Sequence, residues 1–489
     1  PTHEAYAQAW TRIVENNPFP AVMGRICPHP CESQCNRTDR GDAISVSALE
    51  RFLGDWALDQ GLELPRKEGA SAPQSFGVIG AGPAGLSYAY QAARRGHEVS
   101  IYDWHEAAGG MLRYGVPEYR LPREILDAEM HRIVQLGVQL HTGFRVGADL
   151  SLEKIQERHD ALFLGLGAQQ GRRLHIPGES GPGVWTGSHF LQQFNDGKSL
   201  VVGDQMVVVG GGNTAIDVAR AGRRLGAEVT IVYRRCREEM PAIEQEIEQA
   251  IDEGVAIREL LAPLEITHAA SGEVSSIVVQ RMSPGAPDES GRHTPVPIAG
   301  DTLELPATAI VVAASQEADW QGLEQIGPSG SAVPGQGAGA SHVSLGGDVL
   351  HQGIASAAIA QGRDAALLDC GEGLSPDLTG EPTPQVKPER YEQGMRVGQP
   401  EVGIPERLRN PELEIASTIS EADFLAEAER CLSCGSCLGC FQCWMYCNAG
   451  SFTPLENPGP GAYFAFNPDI CEGCGKCIEL CPCGFLTPE

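Results

Sequence analysis

Two stretches of this chain follow one plan: a short apolar run, a cluster of glycines, a helix-forming run and a second apolar run. In the first, Phe76–Ile79 reads as a strand, Gly80-Ala81-Gly82-Pro83-Ala84-Gly85 as the turn, an alanine-rich segment as the helix and Val99–Tyr102 as the next strand. In the second, Met206–Val209 is the strand, Gly210-Gly211-Gly212-Asn213-Thr214-Ala215 the turn, Ile216–Leu225 the helix and Val229–Tyr233 the following strand. Two such units indicate an α/β chain with two Rossmann-type domains. Ile310–Ala313 and Val343–Gly347 read as further buried strands, and the Pro- and Gly-rich segment 272–297 as a loop or hairpin inside the second unit.

The glycines of such a turn permit a tight bend, close approach of backbone to a pyrophosphate, and close packing of helix on strand. The helix N-terminus then offers unpaired N–H groups and a positive dipole end to phosphates. Gly80, Gly82 and Gly85, with Pro83 and Ala84, are therefore candidates for holding a dinucleotide. Asp103, 23 residues after Gly80, stands where an acid can bind the adenosine ribose hydroxyls. A glycine-rich turn without a ligand is the alternative, and it leaves the acid at that position without a use. In the second unit Gly210, Gly211, Gly212, Asn213 and Thr214 form the turn, but Arg234-Arg235 follows the next strand where the first unit has its acid. Guanidinium groups suit a 2′-phosphate, so this unit is expected to take a nicotinamide nucleotide, NADPH in preference to NADH. A solvated surface pair of arginines is the other reading.

Cysteine placement is the second constraint. Of 16 cysteines, eleven lie between Cys431 and Cys483. Cys437, Cys440, Cys443 and Cys447 make C-x2-C-x2-C-x3-C; Cys471, Cys474, Cys477 and Cys481 repeat it, followed by Pro482. In bacterial two-cluster ferredoxins with this spacing the fourth cysteine of each run ligates the other cluster. One [4Fe–4S] cluster is thus expected on Cys437, Cys440, Cys443 and Cys481, a second on Cys471, Cys474, Cys477 and Cys447. Structural zinc does not usually take a doubled run of this kind. Asn448 stands where the first run would have its proline. Cys431, Cys434 and Cys483 are left over and are expected to be packed thiols. A further group, Cys27-x3-Cys31-x3-Cys35 with Glu50 on the next helix, is compatible with cluster ligation, zinc or buried thiols.

The chain carries 36 basic and 64 acidic residues, a net charge of −28, and no basic run, which opposes nucleic-acid binding and suits docking of a basic partner. No apolar run reaches the length of a membrane span and no signal peptide is evident, so a soluble, cytoplasmic protein is expected. Residues 1–70 read as a small helical domain, with Tyr6, Ala9, Trp10, Ile13 and Val14 on one helical face and Gly69–Gln74 a linker. Residues 371–420 read as a second, wrapping or tethering linker, and Glu421–Arg430 as a helix opening a cysteine-dense domain over 421–489.

The motifs RICPHPCESQC, ALERF, GVIGAGPAGLSYA, GGMLRYGVPEYRLP, FLGLGAQQGRRLHIPGE, VVVGGGNTAIDVAR, VYRRCREEMPA and GGDVLHQG resemble the small subunit of bacterial glutamate synthase. They are also similar to the N-terminal half of dihydropyrimidine dehydrogenase and to ferredoxin:NADP oxidoreductases of the same family. The resemblance implies FAD on the first turn and NAD(P)H on the second. The nicotinamide domain (196–318) would be inserted between two parts of the FAD domain (75–195 and 319–370). Gly110, Met111, Arg113, Tyr114, Gly115, Val116, Pro117, Arg120 and Leu121 would line the flavin, and Gly347 and Asp348 would return to its phosphates and ribityl chain. Up to two N-terminal [4Fe–4S] clusters are implied, Cys27, Cys31 and Glu50 serving one and Cys35 the other. Their remaining ligands would lie upstream of Pro1, so the chain is expected to be truncated in mid-motif. The family's Ala-Ile-Gly beside the nicotinamide is Ala313-Ala314-Ser315 here. The tail, AERCLSCGSCLGCFQCWMYC with CEGCGKCIELCPCG, resembles that of DsrL-type iron–sulfur flavoproteins. This implies a cytoplasmic NAD(P)H:acceptor oxidoreductase whose redox partner is sulfite reductase in sulfur metabolism. A glutamate synthase small subunit, a ferredoxin:NAD(P) reductase and a non-catalytic scaffold are the rival readings. The cofactor would carry the chemistry, and no side chain is singled out as catalytic.

Overall fold

The structure is a computed structural model and describes residues 3–67, 72–324, 326–327, 342–374, 386–459 and 461–487. Apolar β-branched runs such as Met206–Val209 and Ile310–Val312 are buried along their whole length, as central strands of a parallel sheet must be. They assemble two five-stranded parallel sheets. The first has the order His342–Leu345, Ala161–Leu164, Ser75–Ile79, Glu98–Tyr102, Gln139–His141. The second has the order Val184–Thr186, Ala309–Val312, Gln205–Val209, Glu228–Val232, Ala256–Arg258. The edge strand His342–Leu345 follows the entire second sheet in sequence, so the second module is an insertion in the first. The segment 272–297 lies in an antiparallel ribbon, Val274–Pro287 against His293–Pro306, which joins Leu261–His268 in a three-stranded sheet. The second module's helix begins at Asn213, not Ile216, because Gly212 takes the N-cap in extended geometry.

The chain divides into two compact units. The first comprises Pro1–Pro28, Leu53–Leu374 and Glu401–Ser417, the second His29–Phe52, Ser375–Pro400 and Thr418–Glu489. In the first, Trp10, Val14, Phe19 and Met23 of the N-terminal segment enter the same apolar core as Phe76 and Tyr90 of the FAD-side module. Tyr6, Trp10 and Val14 are the buried face of the helix His3–Val14.

In the second unit three segments distant in sequence meet at Glu427. Its Oε1 accepts the Ser45 N–H at 2.7 Å and Arg430 Nη1 at 2.6 Å, and its Oε2 accepts the Val397 N–H at 3.0 Å. Phe52 stacks on Phe424 with ring centroids 4.3 Å apart, and Lys387 N–H donates to the Pro482 carbonyl at 2.9 Å. Among the described residues no helix is long and apolar enough to cross a membrane.

A buried ionic network joins the two Rossmann modules inside the first unit. Arg120 Nη1 donates to both carboxylate oxygens of Asp217, at 2.9 and 2.8 Å, and its Nε lies 3.1 Å from Glu246 Oε1. Glu253 accepts from Arg220 at 2.9 and 3.1 Å and from Arg224 at 2.6 and 2.9 Å. Arg224 lies 3.7 Å from the centre of the Tyr119 ring. Burial alone would raise the Glu253 carboxyl, but hydrogen bonds from Arg224 and Arg220 outweigh it and hold the group down at about 2. A folded-state value below the unfolded one contributes stability above the ordinary glutamate range, and that stability is lost as pH falls toward 2. Urea unfolding of the wild type is therefore expected to lose about 2 kcal/mol more between pH 6 and pH 3 than that of Glu253→Gln. Parallel pH profiles would contradict this assignment.

Candidate cofactor and cluster sites

The first turn opens on a cavity of about 210 Å³. Gly80 sits at φ +105°, and a Cβ there would lie 2.3 Å from the Gly165 carbonyl oxygen, so only glycine carries the chain over the neighbouring strand's end. Gly110, at φ +52°, passes Gly82 so closely that a Cβ would stand 2.8 Å from the Gly82 Cα. Gly82 caps the helix Pro83–Ala93, leaving that helix's first N–H groups to face the cavity. Asp103 is buried and fixed, its Oδ2 accepting the Ala81 N–H at 2.6 Å and its Oδ1 the His105 N–H at 2.8 Å. His105 Nδ1 also lies 3.1 Å from Oδ1, so it is Oδ2 that keeps a lone pair for a hydroxyl donor. Asp348 also lines it; burial raises its carboxyl, and the Gly353 N–H bonds its Oδ1 at 3.1 Å.

Gly80, Gly82, Pro83, Ala84, Asp103, Gly110, Met111, Gly347 and Asp348 thus share one cavity. Gly85 lies under it, so near the Gly80 carbonyl that a Cβ would approach the oxygen to 2.0 Å. The rest of the 113–121 stretch does not line it. Arg113 pairs with Asp127, and the Tyr114 hydroxyl bonds the backbone of Ala107. Arg120 is engaged by Asp217. Leu121 is core, and Gly115, Val116 and Pro117 are absent from the lining. Sequence reasoning missed Gly165, Gly167, Gln169 and Gln170 on the opposite wall. The signal was present in the glycine pair directly after the buried strand Ala161–Leu164. It also missed Arg145, paired with Asp319 and 5.5 Å from the Trp104 ring centre.

The second turn has the same construction. Gly210, at φ +145°, lies where a Cβ would be 2.3 Å from the Ala313 carbonyl oxygen, and Gly212 faces open space. A Cβ on Gly211 would strike the Tyr233 ring. Asn213 Oδ1 accepts the Ile243 N–H at 2.9 Å, and Thr214 Oγ1 lies 3.5 Å from Gln316 Nε2. The arginine pair is split. Arg234 is exposed, whereas Arg235 is buried, its Nε donating to the His293 carbonyl at 2.8 Å and its Nη2 to Asp288 at 2.9 Å. Arg235 therefore ties down the ribbon, and Arg234 is the member of the pair left exposed. Ser315 sits at φ +153°, a backbone region that favours glycine.

In the second unit Cys447, from the first cysteine run, lines one cavity of about 60 Å³ with Cys471, Cys474 and Cys477 of the second. The Ser451 N–H donates to Cys447 Sγ at 3.3 Å and holds that thiol below its usual range. In the other set, burial pushes the Cys443 thiol up to about 11, with Cys440 and Cys437 adding to it. The Tyr391 side chain, whose hydroxyl bonds the Leu432 carbonyl at 3.0 Å, faces the sulfurs of Cys483, Cys434, Cys440 and Cys481. Cys483 is fully buried, 3.7 Å from the Cys481 sulfur, and Cys434 Sγ accepts from Asn36 Nδ2 at 3.4 Å. Cys431 and Cys434 are exposed, so of the three leftover cysteines Cys483 alone is a packed thiol.

Cys31, Cys35 and Glu50 belong to the second unit and Cys27 to the first. Glu50 Oε2 lies 3.3 Å from His29 Nε2, and burial together with Glu32 and Glu50 raises the Cys31 thiol. Cys27 caps the helix Pro20–Ile26 and packs against the first unit's core. Pliable thiols with open approach, on short turns, are the donor set that iron–sulfur clusters take.

Residues 75–362 match the pyridine nucleotide-disulphide oxidoreductase family, and residues 2–62 match the dihydropyrimidine dehydrogenase domain II, 4Fe-4S cluster. The chain belongs to this family of NAD(P)H-dependent flavin oxidoreductases, with FAD and nicotinamide sites on its Rossmann modules and a [4Fe–4S] domain in the same chain. Within the family it stands among glutamate synthase small chains and related iron–sulfur oxidoreductases. The NADP(+)-dependent formate dehydrogenase subunit beta of Moorella thermoacetica is 35% identical over 88% of this chain and 67% of its own length. The NADPH-Fe(3+) oxidoreductase subunit beta of Geobacter sulfurreducens is 36% identical over 63% of this chain, which spans 47% of that protein. The glutamate synthase [NADPH] small chain of Escherichia coli is 32% identical over 72% of this chain and 80% of its own. In fold, the chain is similar to FprA of Mycobacterium tuberculosis, solved in complex with NADPH: TM-score 0.52, 20% identity, 63% of this chain and 88% of that one.

Two outcomes follow from this geometry. Cys474→Ala should remove about four iron atoms per chain from the anaerobically purified protein, measured by iron and sulfide analysis, with flavin retained. Arg234→Ala should raise the KM for NADPH about tenfold and leave that for NADH unchanged, whereas Arg235→Ala should lower stability instead. Equal effects on both nucleotides would remove Arg234 from the phosphate site.

Proposed function

We propose that this chain moves electrons between NAD(P)H and a partner redox protein. The nucleotide would bind the second turn, FAD the 210 Å³ cavity, and [4Fe–4S] clusters the cysteine sets of the second unit. FAD, when bound, supplies acceptance of a hydride and its division into single electrons. The chain's own residues do the rest. The helix ends at Gly82 and Gly212 offer N–H donors to the two pyrophosphates. Asp103 anchors the adenosine ribose of the first nucleotide and Arg234 selects the 2′-phosphate of the second. The Arg120–Asp217 pair holds the flavin-side loop against the nucleotide-side helix, and the Trp104 and Phe144 side chains line the cavity wall. The observation that carries the reading is the convergence of Cys447 with Cys471, Cys474 and Cys477 in one pocket of a chain that also has both dinucleotide cradles.

For the partner we propose sulfite reductase of a dissimilatory sulfur pathway, on the resemblance of the cysteine-dense tail. A second reading, a subunit of a formate dehydrogenase-type complex, is favoured by the 88% of this chain that aligns with the Moorella protein. Anaerobic stopped-flow mixing with NADPH should bleach the flavin band before the broad iron–sulfur absorbance declines. Adding oxidised sulfite reductase should then return the absorbance, and formate with its dehydrogenase subunit, added to a fresh oxidised sample, should leave the flavin oxidised. Flavin that stays oxidised with both NADPH and NADH would defeat the whole scheme, and a response only in the formate arm would replace the partner.

A further inference from the structure

Between Cys440 and Cys447 the second unit exposes four large apolar side chains within six residues. Phe441 is 43% exposed, Trp444 46%, Met445 54% and Tyr446 49%. A water-facing surface does not keep such a cluster without a use for it. The backbone is arranged to present it. Phe441 adopts φ +63°, a left-handed conformation that is strained for a bulky residue, and so starts the short helix Gln442–Met445 with its ring outward. The Phe441 ring is braced edge-on by Phe464 at 5.0 Å and by Trp444 at 6.2 Å. Tyr446 continues onto the wall of the pocket that holds Cys447, Cys471, Cys474 and Cys477.

The charged side chains of this segment are mostly acidic. From Cys431 to Phe485 the acids are Glu456, Asp469, Glu472 and Glu479, all exposed, and the one base is Lys476. Lys476 is drawn over the Tyr446 ring, its Nζ 5.6 Å from the centroid, while Glu472 sits on the same pocket wall. An aromatic cluster on a mostly acidic segment, with Glu472 on the wall it shares with Tyr446, matches a partner with an apolar contact face surrounded by lysine and arginine. A second copy of this chain fits badly, because a two-fold pairing would set acidic segment against acidic segment in a chain of net charge −28.

We infer that Phe441, Trp444, Met445 and Tyr446 form the docking face for a basic redox protein, seated where residues of both C-terminal cysteine sets reach the surface. This rests on the proposed electron-transfer reading, because Cys440, Cys443 and Cys447 are taken there as cluster ligands. Docking on this face sets the partner beside the backbone of Cys440, Cys443 and Cys447. The acids steer the encounter, and the aromatic residues fix it.

Horse cytochrome c, a basic haem protein with an apolar haem edge, serves as the probe. Its ferric form is titrated calorimetrically into oxidised, cluster-loaded protein, so binding is read without any turnover. Trp444→Ala and Tyr446→Ala should each weaken binding about tenfold, Glu472→Lys should weaken it and flatten its salt dependence, and Val201→Ala, at another exposed apolar site, should change nothing. Iron content and flavin content should be those of the wild type in Trp444→Ala and Val201→Ala. Affinity unaffected by Trp444→Ala and Tyr446→Ala overturns the docking face, as does a wild-type dimer that Trp444→Ala converts to monomer. Failure of the electron-transfer reading shows separately, as loss of NADPH-dependent flavin bleaching while these affinities stand.

Discussion

The buried pair of Arg120 and Asp217 is the constraint on which the arrangement of the two nucleotide sites depends. Arg120 follows the Gly110–Met111 segment that lines the first cavity, and Asp217 is on the helix that begins at the second glycine turn. Taking both charges out of water is costly, and only dense, multi-partner geometry offsets it. Here Arg120 has Asp217 and Glu246, while Glu246 and Glu253 share Arg220, and Tyr119 lies beneath Arg224. Such a network tolerates little sliding, because any displacement leaves an unpaired buried charge. Hydride transfer between two separately bound ring systems needs that kind of registration, since small misplacements of reacting groups cost large factors in rate.

What can be read from the sequence follows how local the physics is. The glycine turns are legible because the need for a missing Cβ, as at Gly80 against Gly165, arises where a turn crosses the end of a strand. The exchange of Cys447 into the other cysteine run is legible because a fixed spacing encodes it. Arg235 is not, because its partners Asp288 and His293 lie more than fifty residues on, across an antiparallel ribbon. Arg120 reads as a flavin-side residue for the same reason: its true partners are in the inserted module. Gly165 and Gly167 are marked only by their place directly after a buried strand, a weaker signal than the first turn because no acid follows them at ribose distance. The helix His3–Val14 shows its buried face correctly, but nothing in its own periodicity says which core receives it.

The second unit shows how a small cysteine-rich segment is kept ordered. Short runs with few apolar residues cannot bury much surface. Glu427 compensates by accepting from three donors on three segments, two of them backbone amides that would otherwise be unsatisfied. Lys387 and Arg390 do the same for the far end, donating to the carbonyls of Ile478 and Leu480. The segment 386–400 therefore functions as a brace within this unit. The bonds of Lys387 and Arg390 run to backbone carbonyls, so they fix the path of the chain between cysteines and leave the sulfurs to the clusters.

The same constraint explains why the aromatic residues between Cys440 and Cys447 are on the outside. A loop whose sulfurs must point inward has little interior left for side chains of the size of Trp444 and Tyr446. Apolar residues of moderate size would satisfy the turn equally well, and polar ones would satisfy the solvent better. Large rings at these positions, with a strained Phe441 backbone to present them, carry a cost that no contact inside the unit offsets beyond the Phe464 edge and the Lys476 head group. That cost is removed only in a state where the rings are covered. A redox partner that binds and leaves would need a face that is exposed between encounters and desolvated during them.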